Sequence, residues 1–547
     1  EWPANFNGTG GITITSGSIT ANNSKTLGPG VNLSLTTALS TGSFNLTVEA
    51  DILGTNTLTI TNGTLTLTGT ANQNINVPVT VGTSGSGGIS MTKTAGTATL
   101  VSGCTLHNIT LNGIGGTLHL GTTVITHIVR NSITVTNGTL VGGAASITLT
   151  GTSASPSIAG FTTTGSISMT KTAGTATFTG NISAANLTLN GAGGTLHLGT
   201  GLTHTFSGIV ARTNGTLNFG SSTVSLSNAT PFSNTVATLV VGSSTINYSG
   251  AAQPVLDLTY NNLILSGSGV KTTSASVVVN GRLTLEGTAS LSAAITYGGE
   301  ASLRYNRTTP VTTSDFEFPS LFQSSGGVII GGTGLITLNG DKVITAPLII
   351  ETGAQLSLST FTGSSSKGLT LGGTPQTPGT YGGNTSAAGT INSTFFADAT
   401  GILNVTAPDA TWLGITSDWS DPANWSIGSV PDLTTNALIN SGTPFQPVLT
   451  AASDCASLIV GAGASLTTAG FALGIYGNFT NSGTVTLGSS NITIGGGLTQ
   501  SIAAITTTGN ITVIKTSGTA TFNGNVSANS LTLNGTGGTL SLGLLRT

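Results

Sequence analysis

Short alternations of apolar and hydroxyl residues run the length of this chain, as in the Leu-Thr-Leu and Ile-Thr-Ile units of residues 57–70, TLTITNGTLTLTGT. Alternation with period two gives a strand one buried face and one solvated face. Each unit is closed by Asn-Gly, Gly-Gly or Ser-Gly, pairs that supply the positive φ a tight corner needs. An antiparallel hairpin array could carry the same local pattern. No segment of useful length shows a 3.6-residue apolar period with caps, so almost no helix is expected.

Long-range repetition favours a solenoid over hairpins. Residues 88–122 read GISMTKTAGTATLVSGCTLHNITLNGIGGTLHLGT, residues 165–200 read GSISMTKTAGTATFTGNISAANLTLNGAGGTLHLGT, and residues 509–543 read GNITVIKTSGTATFNGNVSANSLTLNGTGGTLSLG. Lys93, Lys171 and Lys515 hold the same place in the three copies. Inward Leu, Ile and Val recurring this way would stack as ladders, each coil burying its face on the next. The expected fold is all-β, an elongated parallel β-solenoid in two consecutive segments. At ~4.8 Å per coil and roughly twenty residues per coil it would form a rod on the order of 100 Å long.

The pattern shifts near residue 400. Residues 411–432, TWLGITSDWSDPANWSIGSVPD, hold Trp412, Trp419 and Trp425, three of the four tryptophans, before a fresh array begins. The expected organisation is a repeat array over residues 1–407, with an irregular insertion near 300–325, then a Trp-rich cap and a second array over 408–547. The cap would cover apolar side chains and backbone at the open end of that array.

Composition narrows the function classes. Glycine is 80 of 547 residues, charged residues are 5% and aromatics 5%. Mean hydropathy is +0.31. A disordered chain would be charge-rich and poor in β-branched residues, so the picture is a neutral, hydroxyl-coated β protein. A net charge of −3 with 13 dispersed basic residues offers no stripe for nucleic acid. No apolar run approaches the ~20 residues a membrane helix needs, and no basic cluster marks a membrane surface. Two cysteines do not make a disulfide framework. The chain begins Glu1-Trp2-Pro3, from which a removed leader or a fragment is expected.

Trp412, Trp419, Asn424-Trp425 and Pro431 form a pattern that resembles the W-x-G…W…NW…G…P segment of large secreted bacterial β-solenoid repeat proteins, best represented in Bacteroidota-type bacteria and often exported by the type IX pathway. LTYNNLILSGSGVKT at residues 258–272 and YGNFTNSGTV at 476–485 are similar to the same group. The resemblance implies an extracellular or cell-surface location. It also implies an adhesin-like or filament role. Such proteins usually end in a separate sorting domain, whereas this chain stops at Leu544-Leu545-Arg546-Thr547, midway through a repeat. Either the chain is a fragment or its open end meets another subunit.

Candidate chemistry is sparse. His119 and His197 hold equivalent positions, with Ser541 in the third copy, and read as outward ladder residues rather than ligands. His107, His127 and His204 have no metal-ligand spacing to neighbouring acids or thiols. Cys104 aligns with Ile182 and Val526 and reads as a small buried hydrophobe, as does Cys455. Asp315 and Glu317 lie near Arg304 and Arg307 among Tyr305, Phe316, Phe318 and Phe322, either a lateral binding patch or a solvated insertion. Asp418, Asp421 and Asp432 are a weak Ca²⁺ motif. Asn-X-Ser/Thr sequons at Asn7, Asn32, Asn45, Asn62, Asn108, Asn137 and Asn214 permit N-glycosylation. Thr13/Thr15 and Thr57/Thr59 suggest the hydroxyl lattices of ice-binding solenoids, with Lys93, His119 and Asn218 interrupting them. Trp412, Trp419 and Trp425 are either sugar-stacking or cap aromatics.

The function expected from the sequence is a secreted cell-surface structural protein, an adhesin stalk or a filament subunit assembled end to end, without enzyme activity, metal or cofactor. The alternatives are a module binding surface polysaccharide and, behind it, a β-helix polysaccharide-degrading enzyme or an ice-binding protein.

Overall fold

The structure is a computed structural model describing residues 3–8, 10–15, 19–82, 87–233 and 238–543. Glu1, Trp2 and the Leu544, Leu545, Arg546 and Thr547 terminus lie outside the described residues. The fold is an all-β parallel β-solenoid, and among the described residues the one helical element is the three-residue 3-10 turn Pro422–Asn424. Two compact units divide the chain: Glu1–Leu283 with Thr288–Thr296, and Thr284–Gly287 with Tyr297–Thr547.

In the first unit the period-two alternation becomes columns. Strands Leu46–Val48, Thr64–Leu67, Gly88–Met91 and Asn108–His119 pair in parallel register. Leu46, Leu65, Ile89 and Ile109 stack inward and are at most 1% exposed. Thr47, Thr66, Ser90 and Thr110 stack outward on the alternate positions. Backbone ladders tie coil to coil, for example Thr92 N–H to Leu67 O at 2.8 Å. Parallel strands cannot be joined by tight hairpins, so each coil must travel round before it pairs, which is what excludes the hairpin array.

Glycine shapes the corners in two ways. In the Asn-Gly pairs Gly138 and Gly215 have φ +85°, a conformation that a Cβ disfavours. Elsewhere the need is space: a Cβ on Gly113 would lie 2.1 Å from Lys93 O, and one on Gly191 2.0 Å from Lys171 O. The Gly-x-Gly-Gly of the repeats therefore folds closely over the lysine of the preceding coil.

The second unit repeats the logic. Leu303, Val328, Leu348 and Leu369 stack in register. Antiparallel pairing enters where the chain leaves the coil path: Leu369–Leu371 with Thr374–Pro375, and Gly379–Gly382 with Leu403–Thr406. The strand ladders before residue 407 and those after 408 are separate sheets. Asn436 Nδ2 donates to Ala407 O at 3.2 Å and Lys367 pairs with Asp409 beside that seam. A core of its own begins at Ala410 and runs to Phe522.

The stretch near 300–325, expected as an irregular insertion, holds a regular strand and, over residues 313–320, turns without strand pairing. Ser302–Arg307 is a regular strand paired with Val328–Gly332, and Tyr305, Phe318 and Phe322 are at most 1% exposed. Alternation was hidden there because Arg304 and Asn306 replace the usual outward Thr.

Removing an inward aliphatic leaves a cavity in a stack that cannot close without losing register. Leu65→Ala is expected to cost about 2–5 kcal/mol in denaturant unfolding. Thr66→Ala, one residue away and outward, should change stability by less than about 0.5 kcal/mol. Equal costs would contradict the assigned faces.

Candidate functional site

The Trp segment is built around one amide. Asn424 Nδ2 donates to Thr416 Oγ1 and Asp418 O, both at 2.7 Å, and its Oδ1 accepts the Thr416 N–H at 2.8 Å. Asp421 caps the Pro422–Asn424 turn through the Ala423 N–H. Trp425 then meets Trp412 and Trp419 edge-to-face at 5.0 and 4.7 Å between ring centroids. Trp412 Nε1 donates to Phe445 O at 2.8 Å and Trp425 Nε1 to Trp419 O at 2.9 Å. All three rings are at most 1% exposed, so no face is free to stack on a sugar. Of the two alternatives for these residues, burial favours core aromatics.

The carboxylates disperse. Asp418 accepts from Thr450 Oγ1 and the Ser420 N–H, bonds that hold its carboxyl below the usual range, while Asp432 accepts from Thr434. No group of three His, Cys, Asp or Glu side chains able to hold a metal occurs among the described residues. Glu317 is buried, accepting the Ser314 N–H at 2.7 Å and the Tyr305 hydroxyl at 3.2 Å. Burial, and then the Glu317 charge, raise the Tyr305 and Tyr297 hydroxyls well above the usual tyrosine range. Asp315 instead pairs with the buried Lys342 at 2.6 Å, and Arg304 grips Glu351 through two bonds of 2.6 and 2.7 Å. Only Phe316 of the aromatics in this stretch is substantially exposed, so it does not form a lateral aromatic patch.

Histidines divide by face. His119 and His197 are half-buried on the outer side, with Nδ1 accepting the N–H of Gly121 and Gly199 at 3.1 and 2.9 Å. Asn218 does the same for Gly220 at 2.9 Å, which is why Asn and His exchange in this column. His127 and His204 are fully buried: Nδ1 accepts from Cys104 and Ile182 N–H, and Nε2–H donates to Leu120 O and Leu198 O. Burial lowers both pKa values, which keeps the rings neutral. They close coil corners.

The sequons have a structural occupation. Asn45 Oδ1 accepts the Thr64 N–H at 2.8 Å from the next coil, and Asn32 Oδ1 the Asp51 N–H at 3.1 Å. Asn108 Oδ1 accepts from Asn131 and Ser132, and Asn137 and Asn214 donate Nδ2 to Asn112 and Asn190 Oδ1, both at 3.2 Å. Asn7 and Asn62 are exposed. Coil-to-coil bonding thus gives a reason for abundant asparagine independent of glycans.

Sequence reasoning missed the buried lysines. Lys93, Lys171, Lys271 and Lys515 are at most 1% exposed and point inward, so Lys93 does not interrupt the outer hydroxyl columns. Each ammonium binds carbonyls of an earlier corner. Lys93 Nζ donates to Thr68 O at 3.0 Å, Lys171 to Ser153 O at 3.1 Å, and Lys271 to Gly250 O and Ala251 O, both at 2.7 Å. Buried Gln253 and Gln500 add side-chain acceptors at 2.8 Å to Lys271 and Lys515. The legible signal was the fixed spacing from each repeat lysine to its Gly-x-Gly-Gly corner.

A cleft of about 550 Å³ opens in the second unit. Its floor is a column of outward positions where other coils show threonine: Ala456, Tyr476 and Ile514, with Gly495 between the last two. Leu433 and Thr377-Pro378 form walls, the latter held by the Tyr381 hydroxyl donating to Thr377 O at 2.6 Å. Ser457, Asn478, Thr499 and Thr516 rim it, and no Lys, Arg, His, Asp or Glu lines it. Burial and then Asp454 raise the Tyr476 hydroxyl, so the ring is neutral at physiological pH.

Two measurements check these environments. Burial depresses Lys271 from 10.5 to about 8. Between those values the unfolded chain keeps a proton that the folded chain has released, so stability must rise with pH across that window. Wild type should gain on Lys271→Met by up to about 1.4 kcal/mol per pH unit from pH 8 towards 10.5, other titrating groups cancelling. A constant difference would place Lys271 in solvent. Cys104 and Cys455 are free and at most 2% exposed, and burial pushes the Cys104 thiol up to about 12. Neither should react with a disulfide reagent at neutral pH before unfolding, and both should react after it. Rapid native-state labelling of either would refute its placement.

Comparison with family models, with curated proteins and with solved structures found no match to this chain.

Proposed function

We propose that this chain is a structural spacer of a cell-surface or secreted protein, a stalk that holds its neighbours away from the surface. The observation that supports this best is the register of the first unit. Inward aliphatics and outward hydroxyls repeat coil after coil, so added sequence becomes added length at about 4.8 Å per coil. Low charge and hydroxyl-rich faces suit a surface that meets solvent without strong electrostatic attraction to partners. The short patches similar to secreted bacterial repeat proteins, such as residues 258–272 and 476–485, support the same location. An adhesive role would then reside in local clefts on the spacer.

Two readouts test the proposal together. Small-angle scattering of the purified chain should give the cross-section of a rod, and mild protease treatment of intact producing cells should remove the epitope. A compact scattering profile, or an epitope protected until cells are lysed, would overturn it.

A further inference from the structure

We propose that the cleft over Tyr476 is a binding site for a neutral polysaccharide chain. The proposal does not depend on the spacer reading, since the cleft exists wherever the protein resides.

Three observations carry it. The first is the seat prepared for the aromatic ring. A Cβ on Gly495 would lie 2.6 Å from Tyr476 Cε1, and one on Gly474 would lie 2.0 Å from Asp454 Oδ1 and 3.0 Å from Tyr476 Cε2. Glycines on both strands clear space that a threonine side chain would fill, so the ring is held against the coil surface. A ring fixed by packing loses little freedom when a ligand stacks on it.

The second observation is the chemistry of the rim. Asn478 uses its Oδ1 on the Ser501 N–H at 2.9 Å, which fixes the amide and directs its role as donor through Nδ2. Ser457 Oγ accepts the Asn478 N–H at 3.0 Å and retains its own hydroxyl hydrogen to donate. Thr499 and Thr516 add exposed hydroxyls. Hydroxyls and an amide around an apolar floor match a sugar ring, which has C–H faces and an equatorial fringe of hydroxyls.

The third is the charge. With no ionisable side chain but the neutral Tyr476 in the lining, nothing offsets the desolvation of a uronate, a phosphate or a charged peptide. A volume of about 550 Å³ sits within the usual size of ligand pockets. The sequence cue was two adjacent departures from the repeat: Leu-Gly-Ile-Tyr at 473–476 and Ile-Gly-Gly at 494–496, where outward threonine is replaced by glycine.

Affinity electrophoresis of the full chain tests it. The gels would contain soluble mixed-linkage β-glucan, glucomannan, arabinoxylan, galactan or dextran, with polygalacturonate as the acidic comparator. At least one neutral polymer should retard the protein. Tyr476→Ala should weaken that retardation about tenfold, the loss of one stacking contact. Gly495→Ala, which displaces the ring without touching it chemically, should act in the same direction, and Tyr476→Phe should keep most of the binding. Unfolding midpoints equal to wild type would show that the variants are folded; if Tyr476→Ala is not, Gly495→Ala with Tyr476→Phe decides. Failure of every neutral polymer, retardation that survives both Tyr476→Ala and Gly495→Ala, or retardation by polygalacturonate alone would overturn the proposal. Binding of a fluorescent proline-rich peptide that Tyr476→Ala abolishes, without neutral-polymer binding, would also overturn it.

Discussion

Everything in this molecule depends on the parallel pairing of each coil with the next at constant register. A parallel ladder gives each strand its backbone partners only from neighbouring coils, so a coil is stable only inside a stack. That constraint sets the inward side chains to one size class along a column, as in Leu46, Leu65, Ile89 and Ile109. A one-residue slip would turn the whole hydrophobic set to solvent. It also makes the corners the difficult places, because there the backbone turns and loses its ladder partners.

Polar burial follows from those corners. Carbonyls that point into the coil at a turn need donors, and an ammonium that reaches several of them satisfies more than one at once. Lys271 does so for Gly250 and Ala251, and His127 and His204 each do the same for a single carbonyl. Asparagine handles the outer edge, where its Oδ1 meets an N–H of the next coil, as Asn45 does for Thr64. The polar residues that look like scattered chemistry in the sequence are therefore mostly the connectors of the fold. Replacing one by a small apolar residue leaves buried carbonyls unpaired, which costs more than the hydrogen bond itself.

Much of this was legible in advance. The alternation of Leu and Thr and the three long copies point to stacked parallel coils, and Cys104 aligned with Ile182 and Val526 correctly reads as buried. The face of Lys93 was not legible. Alternation assigns sides by hydrophobicity, and a lysine inside a corner defeats that rule by hydrogen bonding. Tyr305, Phe318 and Phe322 lie in a stretch that breaks the Leu-Thr alternation, yet their side chains are core. The cleft over Tyr476 was hidden for another reason. Its walls come from Thr377-Pro378 and Leu433, far apart in sequence, and the first is carried by an antiparallel excursion that the repeat pattern does not encode. Burial of Trp412, Trp419 and Trp425 likewise depends on Asn424, whose role only the folded turn reveals.

The register itself can be measured by cross-linking. Thr66 and Ser90 are in-register outward neighbours on successive coils. Parallel strands ~4.8 Å apart bring their Cα atoms within the range a disulfide spans. The pair Thr66→Cys with Ser90→Cys should oxidise rapidly to a disulfide in the native protein, seen as a mass loss of about two hydrogens. Thr66→Cys with Thr92→Cys, two residues out of register on the same coil, should remain largely reduced under the same conditions. Equal oxidation of the two pairs, or preference for the second, would contradict the stacked in-register solenoid on which the account rests.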